Sequence, residues 1–349
     1  MQVNSKRFSA SFFRLLERIL PANVPKAVDG GGALARIVAI GCVVMLHIGS
    51  YFRIPAEAHS CRTIFAIMSG CCFWAVPAFV ILSGYYTFPA LSSMSATEYY
   101  RRRIGGVLRQ TLFWSAIYTA MSLGKADAAA ILSNWLHCRP LFHLWFVFML
   151  LGLYVLAPAC WRIMNGRFGP AIMLCFAIVV MSRPEMWNAD LWQYPLLISI
   201  PYVPMFALGG LLAKCRITPV VGRCAMAFSA AYFAFVCWVS ANGGKGAAYP
   251  FFHYLGFAGL WGGVSVTISF AYLGRFFSAS ASSLLFRASK LVFGVYLVHP
   301  LVMTAFEKVV PTAFYGNVLA RAAIWCGVCT ASFTLVAVIH KIPFVKRTV

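Results

Sequence analysis

The chain has 349 residues, of which 61% are hydrophobic and only 11% charged, with mean hydropathy +0.80 and a formal net charge of +21 at pH 7. An ordinary water-soluble globule, with about a quarter of its residues charged, is excluded, and no strand alternation points to a membrane barrel. The basic excess does not call for nucleic acid, because a positive-inside bias and anionic lipid account for most of it, and a basic inner face would also draw in a polyanionic cofactor.

Residues 1–30 read as a cytoplasmic segment of their own. Phe8, Phe12, Phe13, Leu15, Leu16, Ile19 and Leu20 recur at helical spacing among Lys6, Arg7, Arg14 and Arg18, and Pro21 ends the run. This pattern predicts an amphipathic helix lying in the membrane interface, not a cleavable signal. Asp29 and Gly30 to Gly32 then form a hinge into residues 31–349, which read as one membrane domain without internal repeats.

Apolar segments of about bilayer-spanning length recur near 33–52, 64–87, 108–124, 142–160, 169–182, 195–213, 220–240, 253–274, 291–310 and 319–340. The third and fifth are short, and Pro195, Pro201 and Pro204 bend or break the sixth. The expected fold is all-α: a polytopic membrane protein of about ten transmembrane helices. Twenty of the Lys and Arg residues fall on one side of this arrangement and eight on the other, with Arg36 inside the first span. That asymmetry predicts both termini in the cytoplasm, with the chain in a bacterial cytoplasmic (inner) membrane.

The twelve cysteines sit mostly in spans, where a thiol behaves as a small apolar group. Cys71-Cys72 and Cys326-Gly-Val-Cys329 lack a second ligand pair at suitable spacing, so no metal site is expected. Cys61 and Cys138 fall in different outer loops, and a disulfide between them is left open.

Arg36 and His47 lie in one apolar run, Ala33 to Phe52, that is otherwise free of ionisable residues. Charge inside a membrane helix is costly and normally faces a cavity, a partner or a substrate. Eleven residues at 100° each return to within about 20° of the starting direction, and the two lie roughly 16 Å apart along the axis. One face therefore carries both. Arg36 suits an anion near the surface, although an arginine there can also simply snorkel to the interface; His47, deeper, suits proton transfer near neutral pH.

Further patterns follow in order: Val76-Pro77-Ala78-Phe79 and Ser83-Gly84-Tyr85 in the second span, Tyr99-Tyr100-Arg101-Arg102-Arg103 after it, and Phe113-Trp114-Ser115 in the third. The fourth span opens His143-Leu144-Trp145-Phe146, and the ninth carries Phe293-Gly294-Val295-Tyr296-Leu297-Val298-His299-Pro300. Together with Arg36 and His47, these resemble the acyltransferase-3 family of integral-membrane acyltransferases, from about Arg36 to Pro343. Many members carry an acidic residue where this chain has Ala33 and a further arginine where it has Gly106.

The resemblance implies transfer of an acyl group, commonly acetyl from cytoplasmic acetyl-CoA, to a hydroxyl of a cell-envelope glycan or lipid-linked sugar such as O-antigen. Acetyl-CoA is then a donor substrate, with no permanently bound cofactor. On this reading His47, Arg36 and His299 are catalytic. Arg36, Ser83, Gly84, Tyr85 and Arg101, Arg102 and Arg103 meet the donor, with Arg103 at the position of the family arginine, although a basic cluster there is also an ordinary stop signal. His143, Trp145 and Tyr296 meet the acceptor, a role for which the outer-loop aromatics Trp135, Trp187, Trp192 and Tyr194 are further candidates. Pro300 frees a backbone carbonyl in its span, which predicts a polar cavity beside that span, lined or braced by His299. No acidic residue in any span completes a serine triad around Ser83. Partners expected are acyl-CoA, the glycan acceptor and membrane lipids, with homo-oligomerisation left open. A secondary transporter of a small solute or glycan precursor is the alternative, but no Asp or Glu lies deep in a span to couple ions.

Overall fold

A computed structural model describes residues 29–123, 127–182, 184–188, 192, 194–242, 253–343 and 347–349. The expected N-terminal amphipathic helix lies outside them. The described residues form helices and connecting turns, with no strand among them. The longer helices are α1 (Gly30–Tyr51), α2 (His59–Gly70), α3 (Ala75–Ser93), α4 (Ala96–Ser122), α5 (Ala128–Leu136), α6 (Trp145–Asn165) and α7 (Gly169–Ser182). They continue as α8 (Val203–Leu212), α9 (Pro219–Asn242), α10 (Phe257–Leu273), α11 (Ala279–Ser289), α12 (Val292–Val309) and α13 (Val318–Ile339).

Seven of the described spans are long and apolar enough to cross a membrane: α1, α2 with α3 as one 35-residue unit, α6, α9, α10 with its 3-10 extension, α12 and α13. The expected count was about ten. Helices also stand at the other three segments, none of them both long and apolar enough by that measure. The fourth helix carries Glu98 and four arginines in its length, α7 has only 14 residues, and α8 has only 10, its Pro201 falling in the 3-10 turn Leu197–Tyr202 just before it.

Side-chain caps begin several helices where the sequence places short polar residues. Asp29 accepts from the Gly32 amide at 2.8 Å to start α1, and Ser95 accepts from the Glu98 amide at 3.2 Å to start α4. Asn317 does the same for Ala320 at the head of α13, at 3.0 Å.

Helix α1 is the central element, packed against α3, α10, α11, α12 and α13. Trp325 on α13 donates its indole N–H to the Gly41 carbonyl of α1 at 2.9 Å. The C-terminus folds back as well: the Thr348 carbonyl accepts from Trp114 Nε1 at 2.7 Å, and Val349 is buried. Helices α3 and α8 approach through two glycines in reciprocal positions. A Cβ on Gly84 would strike the Phe206 carbonyl, and one on Gly209 would strike the Ile81 carbonyl. Small residues at such points let helix backbones close on each other where no hydrophobic force drives helices together in lipid.

Cys61 and Cys138 are both free thiols and both buried, so the pairing left open by the sequence is not formed. The Cys61 thiol instead faces the Tyr315 carbonyl at 4.0 Å. Among the described residues, no group of His, Cys, Asp or Glu is arranged to hold a metal ion.

Candidate active site

A cavity of about 480 Å³ opens among α1, α3, α4, α6, α11 and α12. Arg36, Ser83, Tyr86, Arg103 and Tyr154 form its polar part, while Phe79, Leu82, Phe146, Leu150, Phe293 and Tyr296 form an apolar remainder. Arg36 and Arg103, 67 positions apart in sequence, therefore face one space.

Both guanidiniums are oriented by their surroundings. Arg36 bonds the Gly32 carbonyl through Nε at 3.3 Å and sits over the Tyr86 ring with its carbon 4.9 Å from the centroid. Tyr86 is itself anchored, because its hydroxyl donates to Asp29 Oδ2 at 2.7 Å. Asp29 thus caps the helix that carries Arg36 and braces the ring under it. Arg103 donates from Nη2 to the Tyr86 carbonyl at 3.2 Å and lies over Tyr154 at 5.8 Å. These contacts engage Nε of Arg36 and Nη2 of Arg103 while both side chains line the cavity, and a planar fork offers paired hydrogen bonds to phosphate or carboxylate oxygens.

The remaining expected donor residues separate. Arg101 and Arg102 are exposed, and Arg102 pairs with Glu98 one turn away at 2.6 Å. Neither lines the cavity; Arg103 alone of the cluster does. Ser83 lines it, but its hydroxyl donates to the Phe79 carbonyl of its own helix at 2.7 Å. Gly84 is buried against Phe206 on the opposite side of α3. Tyr85 is not among the lining residues and stands edge-on to Tyr86 with centroids 5.0 Å apart. Tyr86, the residue after the Ser-Gly-Tyr pattern, occupies the cavity wall instead.

A second, small chamber of about 30 Å³ adjoins this cavity, and His47 lines it with Val43, Leu46, Val76, Trp145 and Tyr254. Phe79, Phe146 and Tyr296 line both spaces. The spaces at the Arg36 and His47 ends of one helix face therefore share three aromatic residues in their walls.

Around His47 the structure gathers two more imidazoles from distant parts of the chain. His47 and His299 stack with centroids 5.3 Å apart and planes at 24°, and His143 meets His299 edge-on at 5.2 Å. Phe142 closes the side of His47 at 4.9 Å. His143 and His299 are fully buried. Helix α6 begins only at Trp145, and the preceding turn carries His143 inward.

Pro300 explains the orientation of His299. Proline lacks the amide hydrogen that would bond the Tyr296 carbonyl one turn back, and that carbonyl accepts from His299 Nδ1 at 2.7 Å, with Val295 O at 3.2 Å. Carbonyl oxygens only accept, so Nδ1 carries the proton and Nε2 of neutral His299 presents a lone pair. Nε2 is buried without a hydrogen-bond partner among the described residues. The orphan carbonyl left by the proline is thus satisfied by the imidazole itself; the partly polar cavity beside this helix is lined by Val292, Phe293 and Tyr296, and not by His299. Two tyrosines hold the same stretch: Tyr118 donates to the Leu297 carbonyl at 2.6 Å, and the Tyr296 hydroxyl donates to the His143 carbonyl.

Trp145 lies in the chamber wall, stacked on Tyr254 at 6.1 Å. The four other aromatic candidates stand elsewhere. Trp187 and Trp192 pair at 4.6 Å, Tyr194 meets His137 at 4.9 Å, and Trp135 donates to Thr119 Oγ1 at 2.9 Å. Asp29, Tyr86, Tyr118 and Phe142 were not singled out as site residues from sequence, because each looks like a hinge, interfacial or core residue until its partner is known.

The arrangement combines paired cationic forks, a long partly apolar cavity and buried imidazoles able to accept a proton, which suits group transfer from a large anionic donor. No curated protein and no solved structure matches the chain. The family model described as an acyltransferase domain matches residues 33–341, nearly the whole of it. A multi-pass helical membrane protein with this match is an acyltransferase: the chain belongs to the acyltransferase-3 family.

Proposed function

We propose that the chain moves an acyl group, acetyl in the first place, from acyl-CoA to a hydroxyl of a cell-envelope glycan or lipid-linked sugar, with His47 as general base. The observation that carries this reading is the wall of Phe79, Phe146 and Tyr296 that the two spaces share, with Arg36 and Arg103 lining one and His47 the other. The phosphates of the donor would meet Arg36 and Arg103, and the pantetheine arm would run along the apolar part of the cavity. The basic asymmetry of the sequence supports a cytoplasmic mouth for that cavity and cytoplasmic termini in the inner membrane of a bacterium.

In the step itself, the acceptor oxygen bonds to the thioester carbonyl carbon as His47 takes the hydroxyl proton. The carbon–sulfur bond then breaks, and the leaving sulfur receives that proton from the imidazolium. His299 braces the ring of His47 from one face, held by the Tyr296 carbonyl. Ser83, its hydroxyl turned into its own helix, shapes the cavity wall.

Mass spectrometry of the envelope polysaccharides of cells with and without the gene tests the reading. Acetyl groups should disappear from one glycan when the gene is deleted and return with the wild-type copy; an unchanged acyl pattern on every glycan would contradict it.

A further inference from the structure

Among the described residues, the rings that meet His47 are His299 and Phe142. They differ in one respect. His299 stacks on the imidazole and is fully buried, whereas Phe142 stands at 69° to it, 4.9 Å away, and is 39% exposed. His47 itself is half-buried, unlike His143 and His299. The contact lies near the end of α1 away from Arg36, because His47 falls in the last turns of Gly30–Tyr51 and Arg36 in the first.

The turn before α6 carries Phe142. Its ring also meets Tyr51, one turn beyond His47 on α1, at 6.1 Å, and His143 at 5.5 Å. The phenyl ring is thereby held against the imidazole while much of its surface stays open. The residues that the sequence assigned to the acceptor offer no such surface: His143 and Tyr296 are buried, and Trp145 lines the small chamber. A sugar ring carries hydroxyls at its rim and C–H bonds across its face, and the electron-rich face of an aromatic ring attracts the positive edge of such a group. A hydroxyl brought to His47 past Phe142 would lay its sugar ring against the phenyl ring.

We propose that Phe142 is an acceptor-binding residue: its exposed surface holds a sugar ring of the glycan so that one hydroxyl reaches His47. The acceptor then enters at the end of α1 opposite the cavity of Arg36 and Arg103. The proposal rests on the acyl-transfer reading given above and adds to it the acceptor's side of entry and a residue that no sequence pattern marked.

The test uses membranes containing the full chain, radiolabelled acetyl-CoA and the envelope glycan fraction of cells lacking the gene. Glycan is titrated at fixed acetyl-CoA, and acetyl-CoA at fixed glycan. Phe142→Leu keeps an apolar side chain and removes the ring. It should raise the apparent KM for glycan about three- to tenfold, the range that ring contacts contribute, and leave that for acetyl-CoA as in wild type. Phe142→Tyr keeps the ring and should use glycan as wild type does. An unchanged glycan requirement in Phe142→Leu would overturn the proposal and leave the ring as a lipid-facing residue; equal rises for both substrates would overturn it too. If Phe142→Leu transfers nothing, labelling of Phe142→Cys by a membrane-impermeant maleimide decides. Label beyond that taken by wild type should appear and be slowed by the glycan fraction, and label that is absent or unslowed overturns the proposal. If wild type transfers label to no glycan, the acyl-transfer reading itself fails, a result distinct from normal glycan use by Phe142→Leu.

Discussion

His299 turns its Nδ1–H to the carbonyl that Pro300 leaves open, and its ring then lies 5.3 Å from that of His47, nearly parallel to it. A helix-breaking residue and an imidazole thus form one device: the missing backbone bond sets the tautomer and direction of the side chain before it.

Pro300→Ala restores an amide N–H that competes with His299 for the Tyr296 carbonyl. Proline in a helix interior is intrinsically unfavourable, so the variant should melt no earlier than wild type in detergent. Transfer should nonetheless fall by about five- to tenfold, the rate equivalent of one hydrogen bond worth about 1 kcal/mol. Unchanged transfer would show that this bond does not position the ring.

Arg36→Lys should not rescue Arg36→Ala, because an ammonium offers a point charge where the guanidinium offers two parallel N–H bonds. Both variants should raise the apparent acetyl-CoA requirement more than the acceptor requirement in donor titrations at fixed acceptor. A lysine variant with wild-type donor affinity would reduce Arg36 to an interfacial anchor.

Tyr86→Ala removes the ring under Arg36, whereas Tyr86→Phe removes only the bond to Asp29. The alanine variant should weaken donor binding about fivefold or more, in keeping with a partly desolvated cation–π contact of about 1 kcal/mol, and phenylalanine should retain most of it. Equal losses would assign the effect to the Asp29 bond.

Arg102 and Arg103 are neighbours in sequence with different surroundings. Arg102→Ala breaks an exposed pair with Glu98, a kind of contact worth about 0–1 kcal/mol, and should leave donor affinity as it is. Arg103→Ala should lower that affinity about tenfold or more, since hydrogen bonds to charged groups contribute about 1.5–3 kcal/mol. Calorimetry or filter binding with CoA separates the two, and equal effects would place the donor outside the described cavity.

Much of this was legible in the sequence for a physical reason. Composition requires a membrane environment, and a charged residue within an apolar run must face something polar, so Arg36 and His47 stood out by cost alone. Pro300 announced an orphan carbonyl. What one dimension hides is the partner: nothing local says that the carbonyl takes its bond from His299, that Tyr86 instead of Tyr85 faces the cavity, or that Asp29 reaches 57 positions along the chain to hold Tyr86. Gly84 invited a donor-contact reading, yet close approach of Phe206 explains it. His143 stands at the opening of its apolar segment, and only the folded turn before α6 carries it inward.

The count of spans shows the same limit. Periodicity and hydropathy find apolar segments, but a helix such as α4 mixes four arginines with apolar residues, and α8 is shortened by prolines that only the folded chain resolves into a 3-10 turn and a helix.

The central claim is that His47 takes a proton from the acceptor hydroxyl, and His47→Ala measured beside wild type tests it most directly. Membranes with matched amounts of each protein are given radiolabelled acetyl-CoA, and label in the glycan fraction is compared with CoA binding to the same membranes. Loss of a general base costs about 10²- to 10⁴-fold, so transfer should drop by at least about a hundredfold while CoA binding stays close to wild type. Transfer above about a tenth of wild type with intact binding would contradict the role assigned to His47.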